Sequence, residues 1–389
     1  MDIISDNIID GLRPYSDNEI PAAMERLASH EYFVYAAQFI FPNMTLSQAR
    51  EKILQVRTVR DFQMEWMYYF NRRVIEATME KFSFRFDSPL TSGKGYLFIS
   101  NHRDIVLDSS LLQMVLADNG YDTSYITYGD NLIINRLAED IARSNKMFKV
   151  VRQGNKRDLF NHSVILSRFM REKIQENQSC WIAQRSGRTK NGNDSTSHAL
   201  VKMFSMSGPQ DDLIANYEAL HIVPVSVSYE YEPCDYLKTG EITARMETEE
   251  YEKRQGEDLN SILTGITQWK GNVHIHFGTP LTREDLQPYA ALDKNAFCSQ
   301  VCGLIDRQIV ANYKLYPSNY VAFDLQEGTP RFKDFYTLQQ KEAFLARMEK
   351  LKVSVPGDKA SGVYLGIYAN PVKAAMELSA VGRCMPSGR

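Results

Sequence analysis

The sequence predicts an α/β fold in which a largely parallel sheet is flanked by helices, with helical extensions at both ends of the chain. Between residues 86 and 282, short apolar runs alternate with longer stretches of helical periodicity. Such alternation is typical of strands joined by crossover helices. The flanking regions 1–85 and 283–389 lack it and show mainly helical spacing.

The N-terminal region is predicted to be helical because two capping patterns occur in it. Thr45-Leu-Ser-Gln48 and Thr58-Val-Arg-Asp61 both place a hydroxyl residue three positions before an amide or acid. The second pattern opens a helix that we expect to reach about Lys81. Apolar side chains crowd one side of it: Phe62, Trp66, Tyr69, Phe70 and Val74. That side either packs in the core or contacts a bilayer, since aromatic rings beside Arg72 and Arg73 suit the headgroup zone.

The central region supplies the predicted strands. Six apolar runs carry this prediction: 96–100, 123–127, 148–152, 180–183, 222–229 and 272–277. Helices are expected between them at about 109–117, 131–144 and 158–176. The polar segment 190–211 is expected to form a loop followed by a short helix. Further helices are predicted at about 283–313 and 337–352, followed by a weakly patterned tail.

Composition and charge narrow the class of protein. The formal net charge of −3 argues against broad nucleic-acid binding. The start of the chain lacks a signal-peptide pattern, and the longest apolar stretch, near 33–41, is too short to span a bilayer. The five cysteines form no dense framework and are expected to be reduced thiols. We therefore expect a cytoplasmic chain.

A histidine follows the first predicted strand, at the place where parallel sheets bind ligands. His102 has acids two and six positions after it, Asp104 and Asp108. A base with a pKa near neutrality beside a carboxylate is suited to take a proton from a hydroxyl group. A loop histidine held by structural contacts is the alternative. No metal is expected, because His274 and His276 lack a third ligand nearby.

Four sequence blocks carry a family pattern in chain order. They are Asn101-His102, Phe148-Lys-Val-Val-Arg152, Trp181-Ile-Ala-Gln-Arg-Ser186-Gly187-Arg188-Thr189 and Ile222-Val-Pro224-Val-Ser-Val227. Together they resemble the glycerolipid acyltransferase superfamily, which contains lysophosphatidate and glycerol-3-phosphate acyltransferases. Two departures stand out. The family places its acid five positions after the histidine, and it has an acid where this chain has Ser186.

The resemblance implies a reaction and its participants. A fatty acyl group would move from the thioester of coenzyme A or an acyl carrier protein to the hydroxyl of a lysophospholipid or glycerol phosphate. His102 would be the general base, and no other cofactor is implied. The lipid acceptor implies contact with a membrane surface, peripherally at the inner face. The acyltransferase domain would span 86–282.

The resemblance also assigns roles to other residues. Asp108 or Asp104 would orient His102, and Asp104 has the alternative of capping the following helix. Substrate contacts fall on Asn101, Arg103, Arg152, Ser186, Gly187, Arg188 and Pro224. A guanidinium group matches a phosphate face, although surface salt bridging is the simpler interpretation of Arg152 and Arg188. A serine at position 186 cannot supply the family's negative charge.

Two other functions remain open at this point. The Ser186 departure is consistent with a lipid-binding protein that has little activity on a degenerate acyltransferase fold. The acceptor could also be a single-chain lipid without phosphate, such as an acylated amino acid.

Overall fold

A computed structural model describes residues 10–133, 135–247 and 256–384. Within them, seven strands form one sheet in the order β1-β7-β6-β2-β5-β3-β4. The strands are β1 (Met79–Phe86), β2 (Leu97–Ser100), β3 (Tyr125–Gly129), β4 (Met147–Val150), β5 (Cys180–Ala183), β6 (Ile222–Tyr229) and β7 (Gly271–Phe277). Neighbouring strands pair in parallel except β6 with β7, which pair antiparallel. The predicted largely parallel α/β sheet is confirmed.

Helices cover both faces of the sheet and form both extensions. Those of the first half are α1 (Ile20–Ser29), α2 (Phe33–Ile40), α3 (Leu46–Leu54), α4 (Val59–Phe62), α5 (Tyr68–Thr78), α6 (Leu107–Asp118), α7 (Arg136–Ser144) and α8 (Lys156–Gln175). Those of the second half are α9 (His198–Phe204), α10 (Leu213–Glu218), α11 (Asp235–Glu247), α12 (Glu257–Thr267), α13 (Arg283–Leu286), α14 (Lys294–Asn312), α15 (Pro317–Glu327), α16 (Leu338–Ser354) and α17 (Asp358–Cys384). A π-helical turn, Gln63–Met67, joins α4 to α5.

Strand β1 corrects the predicted end of the N-terminal helical region. The helix expected to reach Lys81 ends at Thr78, and the chain enters β1 directly. Three phenylalanines at every second position, Phe82 to Phe86, give this segment the period of a strand. It pairs with β7 in parallel over its length. The sheet therefore starts at residue 79, inside the region expected to be helical.

Two apolar clusters lie on opposite faces of the sheet. Leu97 and Ile99 of β2 join the cluster under α8, α9 and α14, whereas Phe98 joins the cluster under α5 and α6. All four residues of β2 are buried, as expected for a central strand covered on both faces. The chain therefore emerges from the sheet after Ser100, at the carboxyl edge of the sheet.

Part of the aromatic side of the α4–α5 segment packs in the core of the N-terminal helices, whereas Tyr69 is 45% exposed and Val74 packs against the sheet. Phe62, Trp66 and Val74 are buried. The Trp66 ring lies 5.7 Å from that of Phe33 and 5.1 Å from that of Phe41, measured between centroids. These three side chains therefore do not face solvent. In the described part of the chain, no helix combines the length and the hydrophobicity needed to cross a bilayer.

The C-terminal extension is more ordered than the sequence indicated. The weakly patterned tail contains α17, a helix of 27 residues that packs with α15 and α16 around a core of its own. Buried Asp235 connects the extension to the sheet domain. Its carboxylate accepts hydrogen bonds from Arg347 at 2.8 and 3.0 Å and from Tyr368 at 2.7 Å. The expected reduced thiols are found at Cys180, Cys234, Cys298 and Cys302, all buried and free, while the side chain of Cys384 lies outside the described residues.

Candidate active site

The histidine after β2 is paired with an aspartate of the following helix. His102 Nδ1 lies 2.9 Å from Asp108 Oδ2. Asp108 is in the first turn of α6, which starts at Leu107. The backbone between the two residues is an irregular turn rather than a helix, and this turn accommodates the six-residue spacing. Asp108 is therefore the acid that contacts the imidazole.

Asp108 is held rigidly by its other hydrogen bonds. Its Oδ2 also accepts from the backbone amides of Arg103 and Asp104, at 2.6 and 2.9 Å. Its Oδ1 accepts from the Tyr229 hydroxyl at 2.8 Å. Burial, together with the nearby Asp108, raises the pKa of Tyr229, so the hydroxyl keeps its proton and remains a donor. An acid fixed in this way fixes the ring orientation of His102.

Asp104 has a different position. Its Oδ1 accepts from the amides of Val106 and Leu107 at the start of α6, at 2.9 and 2.8 Å. Its Oδ2 lies against Gly265 of α12, where a larger residue would collide with it. Asp104 thus stabilises the helix start, which is the alternative that the sequence left open for it.

Three residues expected to contact substrate lie behind the site. Asn101 bonds both backbone groups of Val227, at 2.7 and 3.0 Å, and so ties the end of β2 to β6. The Arg103 guanidinium is fully buried and lies 2.5 Å from Asp194 and 3.3 Å from Glu232. Pro224 is buried within β6. None of the three lines the cavity beside His102.

Arg103 is an interior ion-pair residue. Burial opposes its charge, but the carboxylates of Asp194 and Glu232 outweigh this effect and raise the pKa of the guanidinium. Lys238 donates to Glu232 at 2.6 Å and to the Arg103 carbonyl oxygen at 2.7 Å. This network fixes the backbone next to His102, and it explains why an arginine expected at the substrate is sealed inside. The sequence gives charge but not burial.

The other predicted residues share one open cavity of about 410 Å³ with His102. The cavity lies at the carboxyl ends of four parallel strands. His102 follows β2, Gly129 ends β3, Arg152 follows β4, and the Ser186–Arg188 turn follows β5. This is where an α/β sheet binds its ligands.

The lining of the cavity combines two kinds of side chain. Four cations contribute to it: Arg152, Arg185, Arg188 and Lys190. Its apolar residues are Ile105, Leu132, Met147, Val150, Val151, Leu159, Leu166, Ile182, Leu200 and Met203. Lys190 is paired with Glu241. A ligand with an anionic group and a hydrocarbon chain satisfies both kinds of side chain.

The turn after β5 presents Ser186 and Arg188. Gly187 has φ of 76°, in the left-handed region that favours glycine. Arg188 Nη1 is buried without a hydrogen-bond partner among the described residues. Among the described residues that line the cavity, the acid is Asp258. Its carboxylate accepts a hydrogen bond from the Asn131 side-chain amide at 2.9 Å.

Sequence reasoning missed several members of this site. Tyr229 supports Asp108 from the end of β6, and the Trp181 ring lies edge-on to His102 with 6.3 Å between centroids. Asp258 comes from α12, a helix that the sequence did not predict. Tyr229 ends β6, which pairs in parallel with β2, so both strands end at the same edge of the sheet. A sequence-based prediction of this strand pairing would have placed Tyr229 near His102.

No protein-family model matches the chain, and no curated protein matches its sequence. Among solved structures, the chain is similar to the 1-acyl-sn-glycerophosphate (LPA) acyltransferase PlsC from Thermotoga maritima. The similarity covers 73% of this chain and 91% of that one, with 12% sequence identity and a TM-score of 0.36.

Proposed function

We propose that this protein transfers a fatty acyl group from a thioester to the hydroxyl group of an anionic single-chain lipid. Lysophospholipids fit this description, and glycerol phosphate, which carries the phosphate but no acyl chain, is the other acceptor that we propose. The observation that carries the proposal is that His102, paired with Asp108, lines a cavity whose other residues include both cations and apolar side chains.

The reaction follows from the chemistry of the pair. With Nδ1 engaged by Asp108, Nε2 is the ring nitrogen left to accept the hydroxyl proton of the acceptor. The acceptor oxygen attacks the thioester carbonyl carbon, and the C–S bond breaks. The proton on the imidazolium then passes to the departing thiolate, so the ester and the free thiol are the products. Asp108 stabilises the imidazolium, and no acyl-enzyme forms.

The acceptor is held by two kinds of side chain in the cavity. Arg152 and Arg188 bind its anionic group. The acyl chain packs on the apolar residues of the lining. Acceptors of this kind are found in membranes, so we place the protein peripherally at the inner, cytoplasmic surface of a membrane.

The variant His102→Ala tests the proposal in a transfer assay with several acyl-CoA and acyl-carrier-protein donors and several acceptors. Loss of a general base lowers turnover by about 10²–10⁴-fold. The matched control is His162→Ala on α8, whose ring contacts only a backbone carbonyl of its own helix. We expect the control to retain wild-type turnover. Comparable turnover in both variants refutes the assignment.

A second candidate, a lipid-binding protein with little activity, is favoured by Ser186 at the position of the family acid. Ser186 is exposed on the cavity wall, where a carboxylate fits without disturbing the core. On the enzyme proposal, Ser186→Glu raises or preserves transfer. If neither form transfers acyl groups but both bind lysophospholipid in a vesicle-free fluorescence titration, the binding function replaces the enzymatic one.

The phosphate requirement is tested by an acceptor panel that includes an N-acyl amino acid and a monoacylglycerol. If Arg152 and Arg188 select for phosphate, turnover is lower with acceptors that lack a phosphate group. Equal turnover with all acceptors would instead identify a non-phosphate single-chain lipid as a natural acceptor.

A further inference from the structure

The C-terminal extension forms a second cleft beside the one that contains His102. This cleft encloses about 1110 Å³. It lies between the loop after β5, the end of α11, and helices α15 and α17, which contribute Gln326 and the stretch from Lys359 to Asn370. The sequence analysis gave no role to this part of the chain.

The second cleft is cationic. Five of its lining residues carry positive charge: Arg185, Arg188, Lys190, Arg245 and Lys359. None of its described lining residues is an acid. Glu241 pairs with both Lys190 and Arg245, so one carboxylate offsets two of the cations. Because the whole chain has a net charge of −3, this concentration of positive charge is local.

The two cavities share one wall. Arg185, Ser186, Gly187, Arg188 and Lys190 line both. The neighbouring Thr189 donates its amide to the His102 carbonyl oxygen at 2.8 Å, so this wall stands directly beside the proposed base. A ligand in the second cleft that extends over the wall reaches the reacting centre from a side that the acceptor does not occupy.

The α17 helix holds the loop that separates the cavities. Asn370 donates to the Asn191 carbonyl oxygen at 2.7 Å. Gly192 packs so closely on the Ile367 carbonyl oxygen that a side chain there would collide with it. Arg103 also donates to the Gly192 carbonyl oxygen, at 3.3 Å. The cleft is therefore a built feature that is continuous with the buried network behind His102.

We infer that the second cleft binds the phosphate groups of the acyl donor, a phosphopantetheine thioester. This inference rests on the proposed acyl transfer, since that reaction requires a thioester donor in addition to the acceptor. Both biological forms of such a donor, coenzyme A and an acyl carrier protein, carry a phosphate on the pantetheine arm. Arg185, Arg245 and Lys359, which are not assigned to the acceptor, bind the phosphates, and the arm crosses the shared wall to place the thioester beside His102.

Two variants alter the second cleft without touching the first. Lys359→Glu reverses an exposed charge that lines only the second cleft. Gly362→Leu fills the cleft, because nothing lies within 4 Å of the position a Cβ would take at this helical glycine. Matched controls are Lys350→Glu, which reverses an exposed charge of α16 outside both cavities, and Gly303→Leu, another helical glycine with open space around it.

The experiment is calorimetric titration of the full-length protein with coenzyme A, with 4′-phosphopantetheine and with pantetheine. We expect Lys359→Glu and Gly362→Leu to weaken coenzyme A binding by about 10-fold or more, and each control to stay within about twofold of wild type. Wild-type binding of coenzyme A should also weaken as salt is raised, a test that needs no variant. Pantetheine binding, which involves no phosphate, should not change in Lys359→Glu.

The arms of the experiment separate the sources of phosphate. A parallel loss of 4′-phosphopantetheine binding identifies the phosphate common to coenzyme A and carrier proteins, whereas a loss confined to coenzyme A identifies its nucleotide phosphates. Either result supports the inference. It is overturned if wild type binds neither ligand, or if both cleft variants bind coenzyme A like wild type. Titration does not depend on turnover, so the cleft can be confirmed even if His102→Ala shows the transfer proposal to be wrong.

Discussion

At the scale of single residues, the contact between His102 and Asp108 decides a question that the sequence left open. The spacing of six residues did not distinguish Asp108 from Asp104, since either reaches an imidazole across a flexible turn. The structure separates them by their partners. Asp108 bonds the ring, two amides and Tyr229, whereas Asp104 bonds the first amides of α6.

The two acids are expected to respond differently to neutralisation. Asp108→Asn should lower turnover by at least about 100-fold, because the amide no longer stabilises the imidazolium. Asp104→Asn keeps an oxygen that accepts from the first amides of α6, and asparagine caps helices as well as aspartate, so this variant should keep the free energy of unfolding close to wild type and turnover within a few-fold of it. Steady-state kinetics beside denaturant unfolding of both variants makes the comparison. A larger loss of turnover in Asp104→Asn would assign the steering role to the other acid.

The sequence does not show which of the charged side chains near the site are buried. Arg103, Arg152 and Arg188 look alike as charged residues near predicted strand ends. The first is sealed between Asp194 and Glu232, and the other two line the cavity. The difference arises from long-range pairing, since both acids lie about 90 or more residues further along the chain.

At the scale of elements, β7 contains a histidine whose protonation opposes folding. Burial, with smaller effects from Lys314 and His276, lowers the pKa of His274 to about 4. The unfolded value is about 6.5. Between these values the unfolded chain binds a proton that the folded protein does not, so the free energy of unfolding falls as the pH falls from 6.5 toward 4.

This coupling gives a stability prediction. Acidification from pH 7 to pH 5 should lower the free energy of unfolding of wild type by up to about 2 kcal/mol more than that of His274→Gln. Denaturant unfolding at the two pH values measures the difference, and His162→Gln on α8 serves as the control. Equal pH dependence in wild type and His274→Gln would mean that the histidine is protonated in the folded state without a penalty.

Most strands were predictable, because short apolar runs bounded by polar turns have few alternatives. β5 and β6 agree with the prediction at both ends, and β2, β3, β4 and β7 differ by one or two residues. β1 was missed because the helical pattern that precedes it continues without a breaking residue. The tail was judged weakly patterned because α17 is buried on more than one side, so its apolar residues do not form a single stripe.

At the scale of the whole molecule, the sheet domain and the C-terminal extension together line two adjoining cavities. Motifs along the chain predicted the cavity at the carboxyl ends of the strands. They did not predict the second cleft, because its walls come from segments as far apart in sequence as Arg185 and Asn370. Hydrogen bonds from Arg347 and Tyr368 to Asp235 join the extension to the sheet domain and so bring these segments together.

The turnover of His102→Ala with an acyl-thioester donor and a lysophospholipid acceptor tests the central claim most directly. We predict a fall of about 10²–10⁴-fold in the turnover of the folded variant, because the ring lines the cavity and is paired with Asp108. A folded His102→Ala protein that transfers acyl groups at the wild-type rate would contradict the account.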